Sequence, residues 1–113
     1  MTKSFGWLKS DLDFENFKAS KSYQTGFLKI RVHFSVNQNL PRFGFIIPKK
    51  VLPKAVDRNL IKRRLKSILA KLAPRLRSVD VLFFPRPQLL KRNFIDVSRE
   101  VELIFSNARL WKS

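Results

Sequence analysis

Residues 55–72 read Ala55-Val-Asp-Arg-Asn-Leu-Ile-Lys-Arg-Arg-Leu-Lys-Ser-Ile-Leu-Ala-Lys-Leu72, and two patterns are superimposed in them. Ile61, Leu65, Ile68, Leu69 and Leu72 recur at i, i+4, i+7, i+8 and i+11, the spacing of one apolar helical stripe. Asn59, Lys62, Arg63 and Lys66 recur at i, i+3, i+4 and i+7, so they project together on another part of the same cylinder. Arg58 lies one turn before Lys62 and extends that edge. Pro74 ends the helix. A helix with this stripe needs a sheet or another helix to cover it.

Outward from this helix the chain supplies that sheet. Phe27 to Ser35 alternates, with Leu28, Ile30, Val32 and Phe34 on one side and Lys29, Arg31, His33 and Ser35 on the other, the period of a half-buried strand. Asn37 to Pro41 reads as a turn. Phe43 to Ile47 reads as a second strand, stopped by Pro48. Val79 to Phe84 is short, apolar and rich in strand formers, closed by Pro85 and Pro87. A last helix is expected from Asn93 or Phe94 towards Trp111, burying Val97, Val101, Ile104, Phe105, Ala108 and Trp111. Before all of these, Ser10 or Asp11 to Ala19 reads as a short helix with the acids Asp11, Asp13 and Glu15 near its positive end. Residues 1–9 are mixed and expected to be poorly ordered, and 20–26 read as a loop. The order is α-β-β-α-β-α, which predicts an α/β sandwich, one sheet with helices packed on it, forming a single domain over 1–113.

Composition narrows the function. The chain has 113 residues, 44% of them apolar and 11 of them Phe, enough for one core without covalent staples. It contains no cysteine and one histidine, which excludes disulfides, thiolate metal sites and a histidine zinc cluster. It shows no spanning apolar segment and no signal-peptide core, so a soluble intracellular, cytoplasmic protein is expected. Twenty-four Lys and Arg against eight Asp and Glu give a net charge of +16 and a pI near 11.3. That field repels other copies, which favours a monomer, and attracts polyanions. Residues 42–77 hold twelve of the basic residues and a single acid, Asp57. A solvated helix face would ordinarily interleave acids at i, i+4, and here they are missing. A row of cations with an Asn among them suits a ribose-phosphate backbone. A basic amphipathic helix on an anionic membrane is the competing use, but the stripe is needed to cover the sheet.

Aromatic rings beside cations are the second ingredient of single-strand binding. Phe14 and Phe17 lie in the first predicted helix with Lys18 beside them, and spacing alone leaves Phe14 open between groove and core. No catalytic set is present: His33 has no nucleophile or orienting acid near it in sequence. Asp11, Asp13 and Glu15 are better explained as helix-capping acids than as Mg²⁺ ligands.

The run Arg42-Phe-Gly-Phe-Ile-Ile-Pro-Lys-Lys-Val51, followed by Ala55-Val-Asp-Arg-Asn-Leu-Ile-Lys-Arg63, resembles the signature of the bacterial ribonuclease P protein component. Leu8, Asp13-Phe14 and Asp80 through Arg86 are weaker matches in the right order. The resemblance implies a sandwich with a left-handed βαβ crossover, against the usual right-handed rule. It implies a partner RNA that carries the chemistry and requires Mg²⁺, with no cofactor bound by protein residues. It further implies cleavage of precursor tRNA at the mature 5′ end. By motif, Lys49, Lys50, Arg58, Asn59, Lys62 and Arg63 would contact the RNA subunit, and Lys54 and Lys66, on the same basic stretch, are expected to join them. Phe14 matches a ring of the family's cleft for the single-stranded 5′ leader, with Phe17 and Lys18 beside it; Lys29 and Arg31 are assigned to the floor of that cleft from their place on the cationic face of the strand. The chain departs from the pattern at Leu60, where the family commonly has a further basic residue. The residues themselves also fit a structural RNA-binding protein of ribosomal type.

Overall fold

The computed structural model describes residues 5–8, 20–34 and 40–112. The helix expected at 10–19, with Phe14, Phe17 and Lys18, lies outside the described residues. Five strands form one mixed sheet: β1 (Gly6–Trp7), β2 (Lys21–Gln24), β3 (Leu28–Phe34), β4 (Arg42–Phe45) and β5 (Val79–Pro85), in the order β1-β4-β5-β3-β2. The central helix α1 spans Ala55–Leu72 and the C-terminal helix α2 spans Phe94–Asn107. β4 and β5 are parallel neighbours joined through α1, a βαβ unit, and β1 adds to β4 in parallel. β3 pairs antiparallel with β5 and with the edge strand β2. The α/β sandwich expected from the sequence is the fold observed.

Each element follows from its residues. α1 buries the five apolar positions of its stripe, Ile61, Leu65, Ile68, Leu69 and Leu72. A short 3₁₀ turn at Ala73–Arg75 then carries Pro74, which cannot continue the helix. α2 begins where the Asn93 side chain accepts the amide hydrogen of Asp96 at 2.8 Å. It buries Val97, Val101, Ile104 and Phe105 as expected, but ends at Asn107, short of Trp111. Trp111 is half-buried and pairs instead as a bridge with Leu76.

The two faces of the sheet differ in chemistry. Leu28, Ile30 and Val32 of β3 join Val79, Val81, Phe83 and Phe43 beneath the helices. Phe83 sits at the centre, 6.1 Å from Phe43, 5.6 Å from Phe45 and 6.0 Å from Phe105 between ring centroids. The file of rings continues outward to Trp7 and Phe5 on one side and Trp111 on the other. Tilted and edge-on pairs of this kind contribute about 0.5–1.5 kcal/mol each beyond burial. The opposite face carries Lys29, Arg31 and His33 of β3, level with Phe84, Leu82 and Asp80 of β5. Leu8 and Leu82 form a second small cluster there with Ile46 and Phe84. Gly44 lets it close: a Cβ at this position would lie 3.0 Å from Leu82 Cδ1 and 3.2 Å from Leu8 Cδ1.

Two strands escaped the sequence reading. Lys21-Ser-Tyr-Gln24, expected as loop, is an edge strand in which only Tyr23 is half-buried, so no apolar alternation marks it. Gly6–Trp7 is two residues long, too short for any period. Phe34, expected on the buried side of β3, is 45% exposed because it lies at the end of the strand.

Candidate nucleic-acid interface

The cationic row on α1 is a consequence of how the helix is seated. At about 100° per residue, the buried stripe covers an arc of about 100°, and Lys62, Lys66, Asn59 and Arg63 fall in that order within a neighbouring arc of similar width. The sheet-side end of this arc meets β1: Lys66 Nζ stands 5.2 Å from the centroid of the Trp7 ring. The opposite flank of α1 faces α2. There Arg64 donates to the Arg92 carbonyl at 3.2 Å, and Lys71 lies over the Phe94 ring at 5.7 Å. Both flanks therefore fix the rotation of the helix about its axis. Asn59, Arg63 and Lys66 are exposed and Lys62 is half-buried. Among the described residues, none of the four is paired with a carboxylate. Asp57, in the first turn, makes no ion pair with them.

Arg58 has a different position from its neighbours. It falls within the arc of the stripe, on the side nearer the row, is half-buried, and its Nη1 donates to the carbonyls of Leu52 at 2.7 Å and Pro53 at 2.9 Å. Leu52 is itself anchored in the core at 4% exposure. The segment 48–54 thus folds into a turn, with the Val51 and Leu52 amides donating to the Pro48 carbonyl, and is braced against α1 through Arg58. It carries Lys49, Lys50 and Lys54, all exposed, at the positive end of the helix. The site is therefore one cationic ribbon that begins on the braced turn and continues along α1.

The residues expected to line a leader cleft divide between described and undescribed. Lys29 and Arg31 are half-buried on the sheet face away from both helices, which is a different layer from the α1 ribbon. Lys29 Nζ lies 5.6 Å from the centroid of the Phe84 ring, a cation beside an aromatic on one face. Phe14, Phe17 and Lys18 lie outside the described residues.

On the same face the structure assembles a cluster that sequence spacing did not show. Asp80 is fully buried and accepts two parallel hydrogen bonds from Arg42, Nε at 2.9 Å and Nη2 at 2.8 Å. His33 Nδ1 lies 3.7 Å from the same carboxylate. His33 therefore does have an acid beside it, supplied by the strand pairing of β3 with β5 rather than by sequence proximity. The fork between Arg42 and Asp80 bolts β4 to β5. Among the described residues no group of three His, Asp or Glu could hold a metal ion, and no helix is long and apolar enough to cross a membrane.

A basic α/β sandwich that holds an uncompensated row of cations on a rotationally fixed helix defines a class of polyanion-binding protein. Within that class, the family model described as Ribonuclease P matches residues 4–109. The chain belongs to that family. It is 30% identical over 103 residues to the ribonuclease P protein component of Synechocystis, covering 89% of this chain and 83% of that one. It is 31% identical over 115 residues to the ribonuclease P protein component of Pediococcus pentosaceus, covering 100% of this chain and 95% of that one. Among solved structures, the RNase P protein of Staphylococcus aureus superposes with a TM-score of 0.84 at 19% identity, over 94% of this chain and 97% of that one. That of Thermotoga maritima superposes with a TM-score of 0.71 at 23% identity, over 83% and 88%. These two likenesses concern the fold.

Proposed function

We propose that this chain binds a catalytic ribonuclease P RNA and the 5′ leader of precursor tRNA, and so assists endonucleolytic removal of the leader. The observation that carries this reading is the ribbon of Lys49, Lys50, Lys54, Asn59, Lys62, Arg63 and Lys66, free of carboxylate partners among the described residues. Arg58 contributes by holding the turn that bears three of those cations. A phosphate backbone laid along the ribbon would release condensed counterions, the main driving force of such binding. The leader would run on the other layer, over Lys29 and Arg31, with Phe14, Phe17 and Lys18 completing the cleft.

The protein's physical task is charge neutralisation and positioning. Two polyanions, the RNA subunit and its substrate, repel each other, and a rigid cationic body between them lowers the Mg²⁺ concentration at which they meet. The chemistry belongs to the RNA and the Mg²⁺ it holds, with no protein residue as nucleophile or general base. Reconstitution with a bacterial ribonuclease P RNA is the test. Adding the protein at low Mg²⁺ should accelerate cleavage of precursor tRNA, and should raise affinity for leader-bearing over leaderless tRNA. Equal rates with and without the protein would remove the reading. An accelerated reaction with no preference for the leader would remove only the cleft.

A further inference from the structure

A second set of cations, used by neither the ribbon nor the sheet face above, gathers where α1 ends, α2 ends and β2 begins. Arg75 and Arg77 follow α1, Arg109 and Lys112 follow α2, and Lys21 opens β2; all five are exposed. None makes an ion pair among the described residues. The chain holds them on a short antiparallel ladder: the Arg77 amide donates to the Leu110 carbonyl at 2.8 Å and the Lys112 amide to the Arg75 carbonyl at 2.8 Å, flanking the Leu76–Trp111 bridge. Leu76 and Leu110 anchor this ladder in the core at 1% and 0% exposure.

Two of these guanidinium groups are also pinned. Arg75 Cζ lies 4.6 Å from the centroid of the Trp111 ring, and Trp111 is itself fixed by donating from Nε1 to Ser106 Oγ at 2.8 Å. Arg77 Cζ lies 4.8 Å from the Phe34 ring and Nη1 donates to the Arg109 carbonyl at 3.2 Å. An ordinary surface arginine loses much rotamer freedom when it grips a ligand, whereas a stacked and hydrogen-bonded one has already lost it. A guanidinium plane backed by a ring still offers its edge to phosphate and its outer face to a base. Two open hollows, of about 370 and 680 Å³, share the Arg77–Arg109 wall. Open at the sides and meeting at Arg77 and Arg109, they suit an extended chain crossing both better than a compact ligand.

We propose that this end of the molecule is a second RNA-binding surface, taking a single-stranded RNA segment on Arg75, Arg77, Arg109 and Lys112, with Phe34 and Trp111 behind them. It rests on the reading that the partner is RNA, but not on the ribbon: the rest of the helix and the 3₁₀ turn after it separate Arg63 from Arg75 by roughly 20 Å. A chain that binds RNA at both ends of α1 could tether two strands, or two parts of one, at that separation. The strand could belong to the RNA subunit or to the precursor tRNA, which present the same chemistry.

The test uses the full chain, a 5′-fluorescein-labelled oligouridylate, a ribonuclease P RNA, and precursor tRNA added to the reconstituted enzyme. The triple variant Arg75→Gln, Arg109→Gln, Lys112→Gln should bind the oligouridylate about tenfold or more weakly near 0.1 M salt, with a log–log salt slope shallower by about 2. A loss towards the RNA subunit alone would assign the strand to it, and a loss only with precursor tRNA would assign it to the substrate. In a Trp7→Phe chain, whose one remaining indole is Trp111, the oligouridylate should quench fluorescence, a readout that does not depend on the triple variant. Unchanged affinity and slope for all three RNAs, with no quenching, would overturn the proposal; if Lys62→Gln/Arg63→Gln still weakened binding, the function proposed above would stand. Failure of the native chain to bind any RNA would sink both. Displacement of the oligouridylate by polyglutamate at equal charge would give the surface to an acidic protein instead and overturn it too.

Discussion

In an Arg58→Ala chain, the carbonyls of Leu52 and Pro53 lose their donor, and the turn carrying Lys49, Lys50 and Lys54 loses its brace to α1. The Pro53 bond is exposed and water can replace most of it. The Leu52 bond is partly buried, and a hydrogen bond from a charged donor contributes about 1.5–3 kcal/mol. Counting that one alone gives a loss of about 2 kcal/mol. With an unfolding entropy of about 2.1 cal/mol/K per residue, a chain of 113 residues shifts by about 4 °C per kcal/mol, so Tm should fall by about 8 °C. Arg63→Ala removes an exposed side chain that has no partner among the described residues, and should stay within about 2 °C of the parent, the scale of ordinary surface changes. Both should weaken RNA binding, but by different routes. Arg63→Ala removes a contact, whereas Arg58→Ala loosens the three lysines of the turn. Adding Lys49→Ala and Lys50→Ala should therefore cost less in the Arg58→Ala background than in the parent. Thermal melts followed by circular dichroism at fixed salt, with RNA titrations on the same samples, decide it. An Arg58→Ala chain that melts with the parent, or lysine effects that add fully, would refute the bracing role.

Lys62→Gln, Arg63→Gln and Lys66→Gln together should make the salt dependence of binding to the RNA subunit shallower by about 2–3 in log–log slope, measured by titration from low to high salt. Arg42→Met should destabilise by about 3–5 kcal/mol, because it strands the fully buried Asp80. Asp80→Asn should cost less, since the Arg42 side chain is 32% exposed and can turn to water; urea unfolding giving the reverse order would count against this. Gly44→Ala should cost about 1–3 kcal/mol by crowding Leu82 and Leu8, and less in a Leu82→Ala background, where equal costs would mean the clash is not the cause. Phe14→Ala should weaken leader recognition while sparing the RNA subunit, measured as separate affinities for precursor tRNA and for the RNA alone; matched losses would speak against a cleft role.

The helix that decides the fold was legible in the sequence to the residue, because its stripe has no competing period and Pro74 stops it. β3 was legible because only one of its faces is buried by the helices. β5 was legible as a strand but not in its function: Asp80 and Leu82 are as buried as Val79 and Val81, so an acid inside an apolar run was the one sign of the Arg42 fork. β2 and β1 were illegible because an edge strand that buries half a tyrosine, or two residues added to an existing edge, carries no pattern beyond pairing partners remote in sequence. The row Asn59, Lys62, Arg63 and Lys66 was readable from periodicity alone. The same period puts Arg58 within the arc of the stripe and not on the row, but only the turn geometry shows where its guanidinium goes. The stacking of Arg75 and Arg77 was hidden for a similar reason, since their rings come from Trp111 and Phe34.

Because α1 is latched to Trp7 along one flank and to Arg92 and Phe94 along the other, it tolerates change unevenly. A residue inserted in the turn before Lys54 lengthens a loop and leaves the azimuth of every later side chain as it was. One inserted between Asn59 and Lys62 turns the two halves of the helix by about 100° against each other. The buried Leu65, Ile68, Leu69 and Leu72 hold the second half still, so Asn59 would swing off the ribbon and Arg58 away from the carbonyls it braces. Length variation among natural or engineered versions of this chain should therefore accumulate in the turn and stop abruptly at the first residue of the helix.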